Sequence, residues 1–356
     1  MKAVITGICG FVGSTIAKEW LKAEENLSLY GLDNLIRPGS ELNRTELQKL
    51  GVKLFHGDLR SHSDLEQIPK VDWIIDAAAS PSVLAAVTDG MSSRQLIEHN
   101  LYGTINLLEY CKRHRAGFML LSTSRVYSVK PLAELKVEVR DLAFRLKAGV
   151  PMPAGLTPNG VSEGFSTAPP VSLYGSTKIA SEILALEYGA AFGFPVWINR
   201  CGVLAGAGQF GRTDQGIFAF WINSYLRRKP LKYIGFGGKG YQVRDCLHPR
   251  DLIPLLMQQQ SYNGRPEIQA LNVGGGIRNS ISLAELSVWC EARFGAHPVA
   301  SDPQTRPYDI PWMVLDSSMA KRVWGWEPQT SLESILEKIA LHAEQHPDWL
   351  RVSDAL

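Results

Sequence analysis

The chain opens on a short apolar run, Lys2–Thr6, closed by Gly7. Phe11–Ala23 follows with apolar residues at helical spacing. The same alternation then repeats. Leu27–Leu32, Val52–Phe55, Val71–Ala79, Phe118–Ser122 and Val196–Asn199 are short apolar segments that read as strands. Helical patterns fill the gaps, notably Ser93–His114 and Tyr174–Phe192. Near-continuous apolar strands separated by helices imply a parallel sheet covered on both faces. Right-handed crossovers then give a doubly wound α/β fold.

From Ser128 to Ser172 the pattern loosens. Pro131–Lys147 reads as one helix, and the Pro- and Gly-rich stretch Gly149–Val171 as loop, a length that suggests a functional segment such as a lid. Beyond Arg200, Gly-rich turns alternate with mixed strand and helix patterns, and Leu283–Phe294 and Leu332–His346 read as helices. The expected division is a first domain over 1–200 carrying the insertion 128–172, and a smaller α/β lobe over 201–356 with some segments returning to the sheet.

Composition narrows the class. The 356 residues are 45% hydrophobic and 20% charged, which is globular. Thirty-seven basic against 35 acidic residues leave +2, so no global field recruits nucleic acid or a membrane. Five cysteines (Cys9, Cys111, Cys201, Cys246, Cys290), odd in number and without a CxxC, argue against a disulfide framework or zinc site. His342 and His346 lack a third ligand nearby, so no metal is expected. No apolar run approaches 18 residues, and a strand pattern beginning at Lys2 leaves no room for a secretory leader. A cytoplasmic location is the expectation.

Chemistry begins in the first turn. Gly7-Ile8-Cys9-Gly10-Phe11-Val12-Gly13 joins strand one to helix one. Glycines there permit a tight turn, close approach of backbone N–H groups to a pyrophosphate, and close helix–strand packing. Asp33, 20 residues past Gly13 at the end of strand two, is placed to accept hydrogen bonds from adenosine ribose hydroxyls. Together these predict a Rossmann-type dinucleotide site for NAD, since a carboxylate repels the 2′-phosphate of NADP. Arg37 leaves that choice open, because its guanidinium could bind such a phosphate or stack on adenine. Asn34 follows Asp33, Asp58-Leu59 sits where the adenine edge would lie, and Ala77-Ala78-Ala79 are small enough to let a cofactor cross the sheet edge.

Tyr174 and Lys178 are four apart on a helix and project together, with Thr123 closing strand five. A tyrosine titrates near about 10, and a neighbouring ammonium favours its phenolate. Tyr174 could then take a proton from a sugar hydroxyl while hydride leaves the same carbon for NAD. Thr123 would hold that hydroxyl in line and Lys178 would fix the nicotinamide ribose.

Gly7–Gly13, Asp33-Asn34-Leu35, Asn100, Thr123 with Val126-Tyr127, and Tyr174 with Lys178 resemble the extended short-chain dehydrogenase/reductase family of nucleotide-sugar enzymes. Asp33–Asn43, Gln209-Phe210-Gly211, Asp214-Gln215-Gly216, Gln242-Val243-Arg244-Asp245 and the insertion before Tyr174 resemble its CDP-paratose (CDP-tyvelose) 2-epimerase branch. The resemblance implies that Arg244 and Arg306 clamp the substrate pyrophosphate, for which a guanidinium fork is suited. Either arginine could instead form a surface ion pair, Arg244 for instance with Asp245. The resemblance further implies that Asn100 supports the cofactor site, that Val203 approaches the cofactor, that Ser82, Cys201 and Gln215 meet the sugar nucleotide, and that the protein is a homodimer. Related 4,6-dehydratases carry an acid pair directly after the strand-five threonine; Ser124 and Arg125 stand there instead.

A carbon bearing only hydrogen and hydroxyl cannot simply lose its proton, because nothing stabilises the carbanion. Oxidation to a ketone, turning the flat intermediate, and reduction from the other face solve this with no net redox. The reading is therefore an NAD-dependent epimerase of a nucleotide-linked hexose, by resemblance at C2 of a CDP-sugar. A net dehydrogenase or reductase, a dehydratase-like enzyme, and a non-catalytic NAD-binding regulator remain the alternatives.

Overall fold

In a computed structural model that describes residues 1–84, 92–262 and 268–355, the apolar runs form a seven-stranded sheet. Its strands are β1 (Lys2–Thr6), β2 (Ser28–Asp33), β3 (Lys53–His56), β4 (Trp73–Asp76), β5 (Gly117–Thr123), β6 (Val196–Cys201) and β7 (Ala270–Val273). Their order is β7-β6-β5-β4-β1-β2-β3, and the pairs β1–β2, β1–β4, β2–β3 and β4–β5 are parallel. Burial explains the strand sequences. Ala3, Val4 and Ile5 of β1, and Ile74 and Ile75 of β4, are wholly inaccessible, whereas β3 at the sheet edge is only partly covered, with Lys53 and His56 exposed. The doubly wound parallel fold holds.

The chain divides into two compact units, each about half of it. The first comprises Met1–Val126, Leu173–Arg200 and Pro249–Leu271; the second comprises Tyr127–Ser172, Cys201–His248 and Asn272–Leu356. The core of the first packs Val4, Tyr30, Leu32, Ile74, Phe118 and Ile198 against Leu107 and Leu108. That of the second is built on the helix Ile217–Leu226, apolar almost all round, with Leu286, Ile335 and Ile339. Among the described residues no helix is long and apolar enough to cross a membrane.

Two sequence expectations need correction. Pro131–Lys147 is not one helix. A short helix, Val129–Ala133, gives way to an antiparallel hairpin in which Val137–Arg140 pairs with Ala143–Leu146. Its two-residue turn, Asp141-Leu142, has both φ angles positive, as a hairpin turn of the I′ type requires. The alternation in Val-Glu-Val-Arg carries period 2, and the charged residues disguised it as an amphipathic helix. Ser93–His114 is not uniformly α-helical either: a π-helical turn at Glu98–Tyr102 separates Ser93–Ile97 from Gly103–His114.

The stretch 149–171 is largely loop, with one small ladder between Leu156–Thr157 and Gly160–Val161. It is anchored within the second unit. Val161 exchanges backbone hydrogen bonds with Val314 and Asp316, Thr157 donates to the Asp316 carboxylate, and Asn272 donates its backbone N–H to Glu163.

Candidate active site and cofactor cradle

The first unit gathers most of the predicted residues at the carboxyl ends of its strands. Gly7 has φ +61°, and a Cβ there would lie 2.9 Å from the Ala78 Cα. A Cβ on Gly13 would lie 2.4 Å from the Gly7 carbonyl oxygen. The glycine pattern is therefore what lets this turn fold against Ala77-Ala78. Gly10 caps the helix Phe11–Ala23 without any side-chain hydrogen bond, and the first turn carries no acidic residue. An uncapped, uncharged helix N-terminus suits an anion.

Asp33 lies at the rim of this turn. It accepts from the Cys9 and Leu35 N–H groups, each at 2.8 Å. Burial pushes its carboxyl above the usual range, against the opposing pull of the Leu35, Cys9 and Gly10 N–H groups. A carboxylate offers about four lone-pair sites, so acceptor capacity remains for a ribose hydroxyl. Burial, with Asp33 adding to it, pushes the Cys9 thiol up to about 12, which keeps it protonated. Arg37 is half-buried in the loop that follows Asp33. Asn34 donates to Asp58, and Arg60 grips both oxygens of Asp58 at 2.9 and 2.8 Å. That guanidinium holds the Asp58 carboxyl well below the ordinary carboxylate range. The Leu59 carbonyl accepts from Asn106 at 2.7 Å, which fixes the turn after β3.

Asn100, on the π-helical turn, is consumed by scaffolding. Its side chain bonds the backbone of Ser80 in both directions, at 2.8 and 3.1 Å, and donates to Thr177 at 3.3 Å. Ser82 is buried and its hydroxyl accepts from the Leu84 N–H. A second network runs beneath the strand ends. Thr6 donates to Asp76 and accepts from the Ala78 N–H, while Thr104 donates to the other Asp76 oxygen.

Tyr174 and Lys178 share one face of the helix Leu173–Phe192 and are 6% and 2% exposed. This helix packs on β5 and on the turn Ser124–Val126, so it lies against the strand that ends in Thr123. Thr123 is partly exposed, and its hydroxyl accepts from the Arg125 N–H at 3.2 Å. Two turns beyond Tyr174 on the same helical stripe stands Glu182, which the sequence reading missed. Its carboxylate accepts from Ser122 of β5 and from Arg200 of β6, at 2.7 Å to Nη2 and 3.1 Å to Nε. The signal was available: Tyr174, Lys178 and Glu182 are spaced i, i+4, i+8.

The second unit holds the remaining candidates. Arg244 and Asp245 point to opposite faces of the strand Val243–Leu247. Arg244 therefore does not pair with Asp245; it reaches Asp309 at 3.5 Å and the Val243 carbonyl at 2.7 Å. Burial draws the Arg244 guanidinium down, Asp309 and Asp245 oppose this, and Arg306 adds to the lowering. Asp309, which Arg244 meets, donates its backbone N–H to the Arg306 carbonyl. Asp245 turns inward, accepts from the Gly275 N–H at 2.9 Å, and is pushed up to about 6 by burial. Cys201 is buried at the end of β6, and Val203 opens the short strand Val203–Leu204. Gln215 lies on the loop before the helix Ile217–Leu226, in a turn closed by reciprocal backbone bonds between Arg212 and Gln215.

A parallel sheet with a glycine turn, an acceptor at the end of β2 and a buried Tyr–Lys pair defines a dinucleotide-dependent enzyme class. The model of the NAD dependent epimerase/dehydratase family matches residues 3–274, and the chain belongs to that family. The chain is 28% identical to CDP-paratose 2-epimerase of Salmonella typhi over 345 residues, covering 95% of this chain and 98% of the relative. It is 26% identical to UDP-glucuronate 4-epimerase of Thermodesulfobacterium geofontis, covering 94% of each. Among solved structures, UDP-glucuronic acid 4-epimerase from Bacillus cereus in complex with NAD is similar at a TM-score of 0.73 and 25% identity, over 97% of this chain and 99% of that one.

Proposed function

We propose that this protein is an NAD-dependent epimerase that inverts C2 of the hexose in a CDP-sugar. The observation that carries the proposal is the placement of Tyr174 and Lys178, buried on one face of a helix that packs on the strand ending in Thr123. The residues present fit the cofactor. The Gly7–Gly13 turn and the Phe11, Val12 and Gly13 N–H groups would hold the pyrophosphate, and Asp33 the adenosine ribose. Asn34, Arg37, Asp58, Leu59 and Ala77–Ala79 would line its course. When bound, NAD supplies a reversible two-electron acceptor for the hydrogen on the sugar carbon. Tyr174 as phenolate takes the proton of the sugar hydroxyl and as phenol returns it, the Lys178 ammonium favours the phenolate, and the Thr123 Oγ1 holds the substrate hydroxyl. Arg244 and Arg306 bind the pyrophosphate of the substrate. Absence of an acid pair after Thr123 favours epimerisation over dehydration.

The choice of C2 and cytidine is supported by similarity to CDP-paratose 2-epimerase along 95% of the chain. A uridine nucleotide is the competing choice, given the similarity to a UDP-glucuronate 4-epimerase. The test uses a CDP-hexose deuterated at C2. Deuterium should stay at C2 in the product, and Tyr174→Phe should slow turnover by about 10²–10⁴-fold while retaining bound NAD. Washout of the label into solvent, or full activity of Tyr174→Phe, overturns the mechanism. A stronger competition by UDP than by CDP overturns the choice of base.

A further inference from the structure

The loop that carries Gln215 is held by a part of the chain more than 130 residues away. At its start, Gln209 anchors its own amide on the Leu204 carbonyl at 2.8 Å. The Gln209 carbonyl in turn accepts from the Trp349 indole N–H at 2.9 Å. Next to it the Phe210 ring stacks on Trp349, with centroids 5.2 Å apart and an interplanar angle of 19°. Both rings are buried. At the tip, the Arg212 guanidinium donates through Nε to the Ser353 carbonyl at 2.9 Å and through Nη2 to the Asp354 carboxylate at 2.7 Å. Within the loop, the Gly211 N–H donates to the Gln209 carbonyl and reciprocal backbone bonds join Arg212 and Gln215, while Gly208 and Gly216 at its ends sit at φ +78° and +64°. From outside, the loop is tied to the segment 349–354, which the helix Trp349–Val352 and Leu350 in the core fix in turn.

From this we infer that Arg212 and Trp349 are positioning residues that hold Gln215 ready for the nucleotide-sugar. Residues 349–354 act as a strap that removes the cost of ordering the loop at each binding event. Preorganisation of this kind acts on affinity, because the ordering entropy is settled before the ligand arrives. The inference rests on the reading that Gln215 touches substrate.

The test is a mutant cycle read by calorimetry with CDP-glucose and UDP-glucose, using whichever binds the wild type more tightly. Arg212→Ala should weaken binding by about two- to tenfold, the range expected for one lost net hydrogen bond, because Asp354 is largely exposed. Trp349→Phe, which keeps the ring stack and loses only the indole N–H, should weaken it less. Gln215→Ala should weaken it as well, and Arg212→Ala should then add little, because its effect passes through Gln215. NAD content should be unchanged in all variants, a readout that general unfolding would move. If Gln215→Ala binds as the wild type does, or if neither sugar nucleotide binds the wild type, the underlying reading fails and takes the inference with it. If Gln215→Ala weakens binding but Arg212→Ala has no effect, or an effect fully additive with it, the strap alone is refuted.

Discussion

Arg200→Met isolates the device that seats the helix carrying Tyr174 and Lys178. In the wild type, Glu182 is 5% exposed and Arg200 12% exposed, and three close N–O contacts join them. Replacing Arg200 by methionine preserves much of the side-chain volume and removes the only cation bonded to this carboxylate among the described contacts. The Ser122 hydroxyl is then left to stabilise the charge alone. Breaking a buried pair from one side costs about 3–5 kcal/mol, because the remaining charge is uncompensated. For a unit of this size that corresponds to a fall in melting temperature of roughly 6–20 °C. The double variant Arg200→Met/Glu182→Gln removes both charges and should regain most of the loss. Thermal unfolding followed by circular dichroism, with NAD added in excess to all samples, measures both. A single variant within about 1 kcal/mol of wild type, or a double variant no more stable than the single, would refute the claim that the pair is buried and mutually compensating.

Other expectations are independent of that pair. Asp33→Ala should lower NAD affinity at least about tenfold by removing a charge-assisted acceptor, and should narrow the preference for NAD over NADP; equal discrimination in mutant and wild type would transfer that role to Arg37. Arg244→Ala and Arg306→Ala should each raise the Kd for a CDP-sugar about ten- to hundredfold with NAD content unchanged, as calorimetry and the absorbance of the denatured supernatant will show. Asp245 should titrate with a midpoint near about 6, seen by carboxyl carbon NMR as a signal missing from Asp245→Asn. Its native value lies above the unfolded one of 3.8, so the protonated form stabilises the fold. That contribution is complete below about pH 4 and lost as pH rises through about 6, a difference worth about 3 kcal/mol. A midpoint at the ordinary aspartate value would refute the burial argument.

What could be read from the sequence was what depends on near neighbours. The strands of the central sheet announce themselves because burial on both faces demands unbroken apolar runs, as in Ala3-Val4-Ile5 and Ile74-Ile75. Tyr174 and Lys178 were legible because helical spacing alone puts them on one face. The hairpin Val137–Leu146 was not, since Val139 is exposed like Arg140 beside it and the charges of Glu138 and Arg140 imitate a helical surface. The partners of Asn100, at Ser80 and Thr177, and those of Glu182, at Ser122 and Arg200, lie 18 to 77 positions apart in sequence. No local pattern encodes such contacts. The ion pair that adjacency offers between Arg244 and Asp245 does not form, because adjacent residues on a strand face opposite ways; Arg244 meets Asp309, 65 positions downstream.

The polar contacts around the helix Leu173–Phe192 bear directly on the proposed chemistry. Thr177 is bonded to Asn100, Ser181 to Thr104, and Glu182 to Ser122 and Arg200, so fixed points interleave with Tyr174 and Lys178 along the helix. Apolar packing alone tolerates small slips between a helix and a sheet, because many packings of similar volume have similar energy. Directional hydrogen bonds in a buried setting do not tolerate them, since a shift that breaks one strands a desolvated group at a cost of about 1–3 kcal/mol. An enzyme that must reduce either face of one ketone needs a substrate that turns and a proton donor that stays. Within its own unit, this helix is fastened in the way a stationary donor requires.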